Sequence, residues 1–141
     1  LKTDANIAAI KGAVGSIKTA VTLFKTKTLA SGNAMTDTVE FSGVKGSNYQ
    51  PWAAAANTSG SGFNAGYTTP SEIFEGAGID MTEWAYRIYV SNGSYAVAAA
   101  PRAALNVAQP TSAQVIATNC YFQYHWKSAG EPEITTVTSG C

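Results

Sequence analysis

IAAIKGAVGSIKTAVTLF, residues 7–24, is the stretch that decides the fold of this chain. Its large apolar side chains recur at alternating steps of three and four residues: Ile7, Ile10, Val14, Ile17, Val21 and Phe24. This spacing places them in one stripe along an α-helix. Thr3 or Asp4 suits the N-cap, and the SGN sequence that follows residue 30 suits the end. We therefore predict one helix over residues 3–30, whose stripe packs on a sheet.

The other faces of this helix are small and basic. Lys11, Lys18 and Lys25 recur every seven residues beside the stripe. Gly12 and Gly15 lie in the helix interior, where each glycine costs about 1 kcal/mol relative to alanine. They indicate either the close approach of another backbone or a bend, and simple tolerance of glycine is an equal alternative. Three heptads are too few to predict a coiled coil.

Length and charge limit the classes of function. The 141 residues have a formal net charge of zero, and they are expected to form a single domain, residues 1–141. Zero net charge gives no support for binding nucleic acid. Residues 1–30 nevertheless carry a net charge of +4, and residues 31–141 carry −4. The sequence shows neither a signal peptide nor an unbroken apolar run of the roughly 20 residues that a membrane span needs.

The chain has two cysteines, Cys120 and Cys141. Two thiols and the single His125 are too few for a structural zinc site. We predict a disulfide between the two cysteines, which implies an oxidising compartment. The alternative is two unrelated buried thiols, but an unpaired terminal cysteine would be frayed and exposed.

Residues 31–82 are expected to connect the helix to the main sheet. TVEFSGVKG, residues 38–46, alternates apolar side chains around a glycine and predicts a short hairpin. Residues 47–69 are rich in Ser, Gly and Asn and predict a long ordered loop. Thr69 as N-cap and Pro70 at the first position predict a short helix after that loop.

Residues 83–141 carry the β pattern. Residues 83–90 alternate apolar and polar side chains, residues 91–94 contain the Asn-Gly turn signal, and residues 95–100 form the return strand. Residues 113–126 predict a long third strand, and residues 134–138 a short fourth. The predicted class is α+β, with a long N-terminal amphipathic helix packed on an antiparallel β-sheet of about four strands.

Catalytic constellations are poorly supported. His125 is interpreted as a half-exposed strand histidine that shares a face with Tyr121 and Gln123. The carboxylate pairs Glu72 with Glu75 and Glu131 with Glu133 suit a helix start and a loop better than glycosidase chemistry. A sugar-stacking platform is a minor alternative for four strand tyrosines: Tyr86, Tyr89, Tyr121 and Tyr124. We predict no enzyme activity, no cofactor and no metal.

Two stretches carry a resemblance to a known family. DANIAAIKGAVGSIKTAVTLF begins at Asp4, and NCYFQYHWKSAGEPEITTVTSGC ends the chain. In this order they resemble the spine helix and the disulfide-bounded C-terminal region of a type IV pilin. The closest likeness is to the mannose-sensitive haemagglutinin-type pilins of Gram-negative bacteria. The resemblance implies the pilin fold, and it implies that an apolar half-helix with a methylated first residue precedes Leu1.

The resemblance also implies a function and its partners. The chain is expected to be a structural subunit of an extracellular filament, or fimbrium, that supports adhesion, biofilm formation or motility. Its partners would be copies of itself in a helical filament, the pilus assembly machinery and, through the missing segment, the inner membrane that supplies the subunits. Lys11, Lys18 and Lys25 are the candidate residues for subunit assembly. The alternatives are a minor pilin or pseudopilin, and a secreted carbohydrate- or surface-binding module.

Overall fold

A computed structural model describes residues 2–55 and 71–141 of the chain. It confirms the α+β class, with a long N-terminal helix, antiparallel sheets and a Cys120–Cys141 disulfide. In chain order, the helices and strands are α1 (Lys2–Ala30), β1 (Val39–Phe41), β2 (Val44–Ser47), β3 (Gln50–Pro51), α2 (Glu72–Ala77), β4 (Trp84–Ser91), β5 (Ser94–Pro101), α3 (Ser112–Ala117), β6 (Tyr121–His125) and β7 (Glu133–Val137). A 3₁₀ turn, Met81–Glu83, leads into β4.

The main sheet is an antiparallel meander in the order β4-β5-β6-β7. The Asn-Gly turn joins β4 to β5 as predicted, since Ser91 pairs with Ser94 and both turn residues have positive φ, 49° at Asn92 and 83° at Gly93. Positive φ at both central residues is the geometry of a type I′ turn, whose twist matches that of the flanking strands. The four predicted strands are therefore present.

A second, three-stranded sheet in the order β1-β2-β3 lies in the connecting region. The predicted hairpin over residues 38–46 is confirmed by the pairing of Phe41 with Val44. The next turn, Asn48–Tyr49, begins within the segment interpreted as a loop, and it brings β3 against β2. The remainder of that loop, residues 56–69, lies outside the described residues.

Three predicted helix and strand boundaries are wrong. Helix α1 already includes Lys2, so neither Thr3 nor Asp4 is its N-cap. Thr69 and Pro70 lie outside the described residues, and Ser71 caps α2 instead, accepting a hydrogen bond from the Phe74 amide at 3.2 Å. The predicted strand 113–126 begins as helix α3, with Thr111 as N-cap and Gln114 completing a capping box. Two reciprocal cap hydrogen bonds outweigh the β-branched side chains that follow, so the strand begins only at Tyr121.

The core lies between α1, α2 and one face of the main sheet. Alternation along the strands places Tyr86, Ile88 and Val97 on the face toward α1. Ile73 and Phe74 of α2 close the same core. On the opposite face of the sheet, Val115 of α3 packs against the buried alanines of β5.

Candidate interaction surface on the N-terminal helix

One side of α1 is buried in the domain. Ile10, Val14, Ile17 and Val21 belong to the main core, together with Ala13. Phe24 belongs instead to a separate cluster with Val39 and Val44 of the small sheet. Ile7, the first residue of the predicted stripe, is only half-buried. The stripe therefore packs in the main core from Ile10 to Val21 and then against the small sheet at Phe24.

The start of α1 is attached to the end of the chain. The Thr3 hydroxyl donates to the Cys141 carbonyl over 3.2 Å. Cys141 is bonded to Cys120, which lies fully buried in the main core. The Gly140 amide donates to the Asn119 carbonyl at 2.8 Å, which holds the C-terminal segment beside the start of β6. The disulfide thus fixes the C-terminus against the first turn of α1.

The face of α1 that points away from the domain is less polar than its sequence indicates. We define this outward face by Gly12, Gly15, Thr19, Thr22 and Thr26, all of them exposed. Each threonine hydroxyl donates to the carbonyl four residues earlier, at 3.1, 3.1 and 2.9 Å. Because these hydroxyls are satisfied within the helix, the face presents mainly methyl groups and backbone.

The two glycines of the outward face leave open space where a side chain would stand, as far as the described residues extend. A Cβ atom built on Gly12 or Gly15 would have no neighbour within 4 Å. The sequence is compatible with a close approach by another backbone or with a bend, and within residues 2–55 and 71–141 no backbone makes that approach. Helix α1 is continuous through both positions.

A groove runs between α1 and the segment from α2 to β4. On the α1 side it is lined by small residues, among them Ala9, Ser16 and Ala20. Lys11, Leu23 and Lys27 line the same side. Its opposite wall is the backbone of residues 76–80. The groove extends from the level of Ala9 to that of Lys27, which is about 27 Å at 1.5 Å per residue. We call it the α1 groove.

The far wall of the α1 groove carries acidic side chains. Glu75, Asp80 and Glu83 line it in turn, and all three residues are exposed. We call them the acidic rim. Two hydrogen bonds from Thr82, one from its hydroxyl and one from its amide, lower the pKa of Asp80, so this carboxyl stays ionised at neutral pH. No local sequence pattern indicates the rim, because its members are separated along the chain.

The three predicted assembly lysines are not equivalent. Lys25 pairs with Glu131 of the same chain at 3.3 Å and lies 5.5 Å from the centre of the Tyr49 ring. Lys11 and Lys18 are exposed, and neither forms an ion pair with another of the described residues. Of these three lysines, Lys11 and Lys18 are therefore the two whose ammonium groups have no carboxylate partner among the described residues.

Helix α1 is also the one helix, among the described residues, with the length and composition needed to cross a membrane. The sequence-based expectation that no segment meets this criterion is therefore too strict. The core helix of a soluble protein meets the same criterion, and the apolar stripe of α1 packs within the domain.

The carboxylates weighed as catalytic pairs have structural contacts. Glu72 is buried, and its Oε1 accepts a hydrogen bond from the Lys45 amide at 2.8 Å, which joins α2 to β2. Glu131 is the ion-pair partner of Lys25, and Glu133 lies opposite His125 in the backbone register of β6 and β7. Among the described residues, no three His, Cys, Asp or Glu side chains are grouped so as to hold a metal ion.

The interpretation of His125 as half-exposed is wrong, since the residue is 2% exposed. It does lie on the same face as Gln123, but β6 is an inner strand and the end of the β4–β5 hairpin covers the ring. Its Nε2 is 2.9 Å from the Ser94 hydroxyl, which donates to the Trp126 carbonyl over 3.0 Å. This hydrogen-bonded chain joins the hairpin to β6.

The four tyrosines do not form one platform. Tyr86 and Tyr124 face α1 and are buried, whereas Tyr89 and Tyr121 lie on the opposite face of the sheet. Burial raises the pKa of Tyr124 far above its usual value, and its hydroxyl donates to the Pro51 carbonyl at 2.7 Å. The alternation of strand side chains separates the two pairs.

Comparison of this chain with protein-family models, with characterised proteins and with solved structures finds no match.

Proposed function

We propose that this chain is a structural subunit of a type IV pilus-type filament on the surface of a Gram-negative bacterium, built on the pilin fold. The observation that carries the proposal is the outward face of α1, which presents glycines and internally hydrogen-bonded threonines over residues 12–26 of a 29-residue helix. A helix that packed only on its own domain would gain nothing from two interior glycines. Small residues do favour close packing of one helix against another.

The arrangement of the domain supports the same proposal. The main sheet covers one side of α1 and leaves the opposite side accessible to other copies. The disulfide and the Thr3 hydrogen bond fix the C-terminal segment beside the start of the helix. A subunit of this kind can add its helix to a filament core without rearranging its sheet.

The proposal includes the cellular location. A disulfide that closes the C-terminal segment suits an oxidising environment outside the cytoplasm. An apolar segment before Leu1 would hold each subunit in the inner membrane until the assembly machinery adds it to the filament. Adhesion, biofilm formation or motility would then be functions of the filament as a whole.

The test uses the full-length gene in its own bacterium. Filaments sheared from the cells are examined by electron microscopy with gold-labelled antibodies against this domain, and a strain that lacks the gene is the control. We expect labelling along the whole length of the filaments. Label at the tip alone would indicate a minor pilin, and label absent from all filaments would overturn the proposal.

A matched pair of variants tests the role of α1. Thr22→Glu places a charge in the middle of the outward face, one turn from Lys18 and Lys25, so the isolated helix should remain stable. Ser128→Glu adds the same charge to an exposed site between β6 and β7. We expect Thr22→Glu to reduce filament yield at an unchanged melting temperature, while Ser128→Glu has little effect. Equal yields from the two variants would contradict a role for this face.

A further inference from the structure

We propose that Lys11 and Lys18 of one copy lie against the acidic rim of the α1 groove in the next copy. This inference rests on the proposed function and specifies which surfaces of neighbouring subunits meet. We call Lys11 and Lys18 the basic row. The occupant of the groove is a second copy of this chain, since the chain carries both the basic row and the acidic rim.

The basic row has the spacing of one helix face. Lys11 and Lys18 are separated by two turns of α1, so their side chains leave the helix about 20° apart in direction and about 10.5 Å apart along the axis. The small side chains around them, Gly12, Gly15 and Thr19, let a partner surface approach the lysines closely.

The acidic rim has a comparable length. Glu83 lines the groove beside Ala9 and Ala13, whereas Glu75 lines it beside Ala20 and Leu23. These α1 residues are separated by about 7 to 14 positions, or about 10 to 21 Å at 1.5 Å per residue. Two lysines about 10.5 Å apart can therefore face carboxylates along the rim of one partner copy.

Lys18 and the acidic rim lie on different sides of α1, whereas Lys11 borders the α1 groove beside Gly12. Ala20 lines the wall of the groove next to Gly76, and Lys18 lies two residues before it, about 200° around the helix. Lys18 therefore points away from the rim of its own chain. A contact between these two unlike surfaces is heterologous, so it extends from copy to copy instead of closing into a pair.

The charges make this contact selective. A copy that approached with its own acidic rim facing the rim of another would bring carboxylates together, which is unfavourable across an interface. Because the zero net charge of the chain is divided between a basic helix and an acidic body, attraction occurs in the basic-to-acidic orientation. Exposed pairs of this kind are screened by salt.

The first experiment locates the contact in filaments sheared from wild-type cells. A carbodiimide joins amines to carboxylates that touch, and mass spectrometry identifies the linked peptides. We expect links to Glu75, Asp80 or Glu83 from Lys18, which points away from the rim of its own chain. Links from Lys25 to Glu131 serve as the internal standard, since this pair is present in each subunit. A cross-linked filament with the standard but without the rim links would overturn the inference.

The second experiment exchanges the charges in the full-length protein. We expect Lys11→Glu with Lys18→Glu to reduce filament yield by about tenfold, because like charges then face each other. Adding Glu75→Lys and Glu83→Lys restores the opposite signs and should restore most of the yield. Lys127→Glu, a charge reversal outside α1, is the control, and melting temperatures of the purified domains confirm that each variant folds.

The outcomes separate the two proposals. Normal yield from the double lysine variant, or no recovery in the folded fourfold variant, would overturn the basic-to-acidic contact and leave the filament subunit standing. Filaments in wild-type cells that contain none of this chain would overturn the proposed function itself.

Discussion

Replacing Gly12 and Gly15 by alanine tests the description of α1 most directly. Both glycines lie inside a continuous helix, and a Cβ on either would meet no atom within 4 Å. Alanine is favoured over glycine in a helix interior by about 1 kcal/mol, so each substitution should stabilise the isolated domain. Unfolding entropy is about 2.1 cal/mol/K per residue, or about 0.3 kcal/mol/K for this chain. We therefore expect a rise in melting temperature of about 3 °C for each substitution and about 6 °C for both.

The assay is thermal unfolding of the purified domain, followed by circular dichroism, with Gly46→Ala as the matched control. A Cβ on Gly46 would lie 2.1 Å from the Gln50 carbonyl oxygen and 2.7 Å from Cζ of Phe24, so this variant should melt well below the wild type. A melting temperature of Gly12→Ala or Gly15→Ala at or below that of the wild type would refute the reasoning. In cells the same double variant should form fewer filaments, since its methyl groups lie on the outward face.

Three further predictions concern the core, the disulfide and one buried tyrosine. Ile17→Ala, at a fully buried position of α1, should lower the free energy of unfolding in urea by about 2–5 kcal/mol; a loss below about 1 kcal/mol would contradict the packing of the stripe. Replacing Cys120 and Cys141 by serine removes a bond between residues 21 positions apart and should cost about 3 kcal/mol, and an unchanged urea midpoint would count against that estimate. Burial raises the pKa of Tyr124 in the folded protein above its unfolded value of about 10. The contribution of Tyr124 to the free energy of unfolding is therefore complete below pH 10, and above pH 10 it falls by about 1.4 kcal/mol per pH unit. Urea unfolding at pH 9 to 11 measures this slope, which Tyr124→Phe should reduce; an equal slope in that variant would refute the assignment.

The local features of this fold follow from short-range sequence signals. The period of the apolar residues from Ile10 to Val21 predicts α1, and the Asn92-Gly93 dipeptide predicts the β4–β5 hairpin. Both signals act within a few residues of the chain, through helical spacing and through a turn that requires positive φ. The same kind of signal was present at α3, where Thr111 and Gln114 form a capping box. The strand prediction followed the β-branched Val115 and Ile116 instead of this capping box.

The candidate interaction surface was only partly predictable. The sequence identified the lysines and the interior glycines of α1, but it could not show that Lys25 has a partner 106 residues later in Glu131. It also could not place the acidic rim beside the helix, because that position depends on how α2 packs against α1. The threonine hydrogen bonds were predictable, since a threonine hydroxyl in a helix can donate to the backbone carbonyl four residues earlier, as Thr26 does to Thr22.

The sequence by itself determined the long helix with its apolar stripe, the order of the main strands, and the two cysteines that form the disulfide. Each depends on local periodicity, on turn chemistry or on the small number of partners available. Only the tertiary structure decided that His125 is buried, that the tyrosines divide between two faces of the sheet, and that Glu75, Asp80 and Glu83 border one groove. These outcomes depend on which segments pack together across long separations in the chain, and no pattern of neighbouring residues records that.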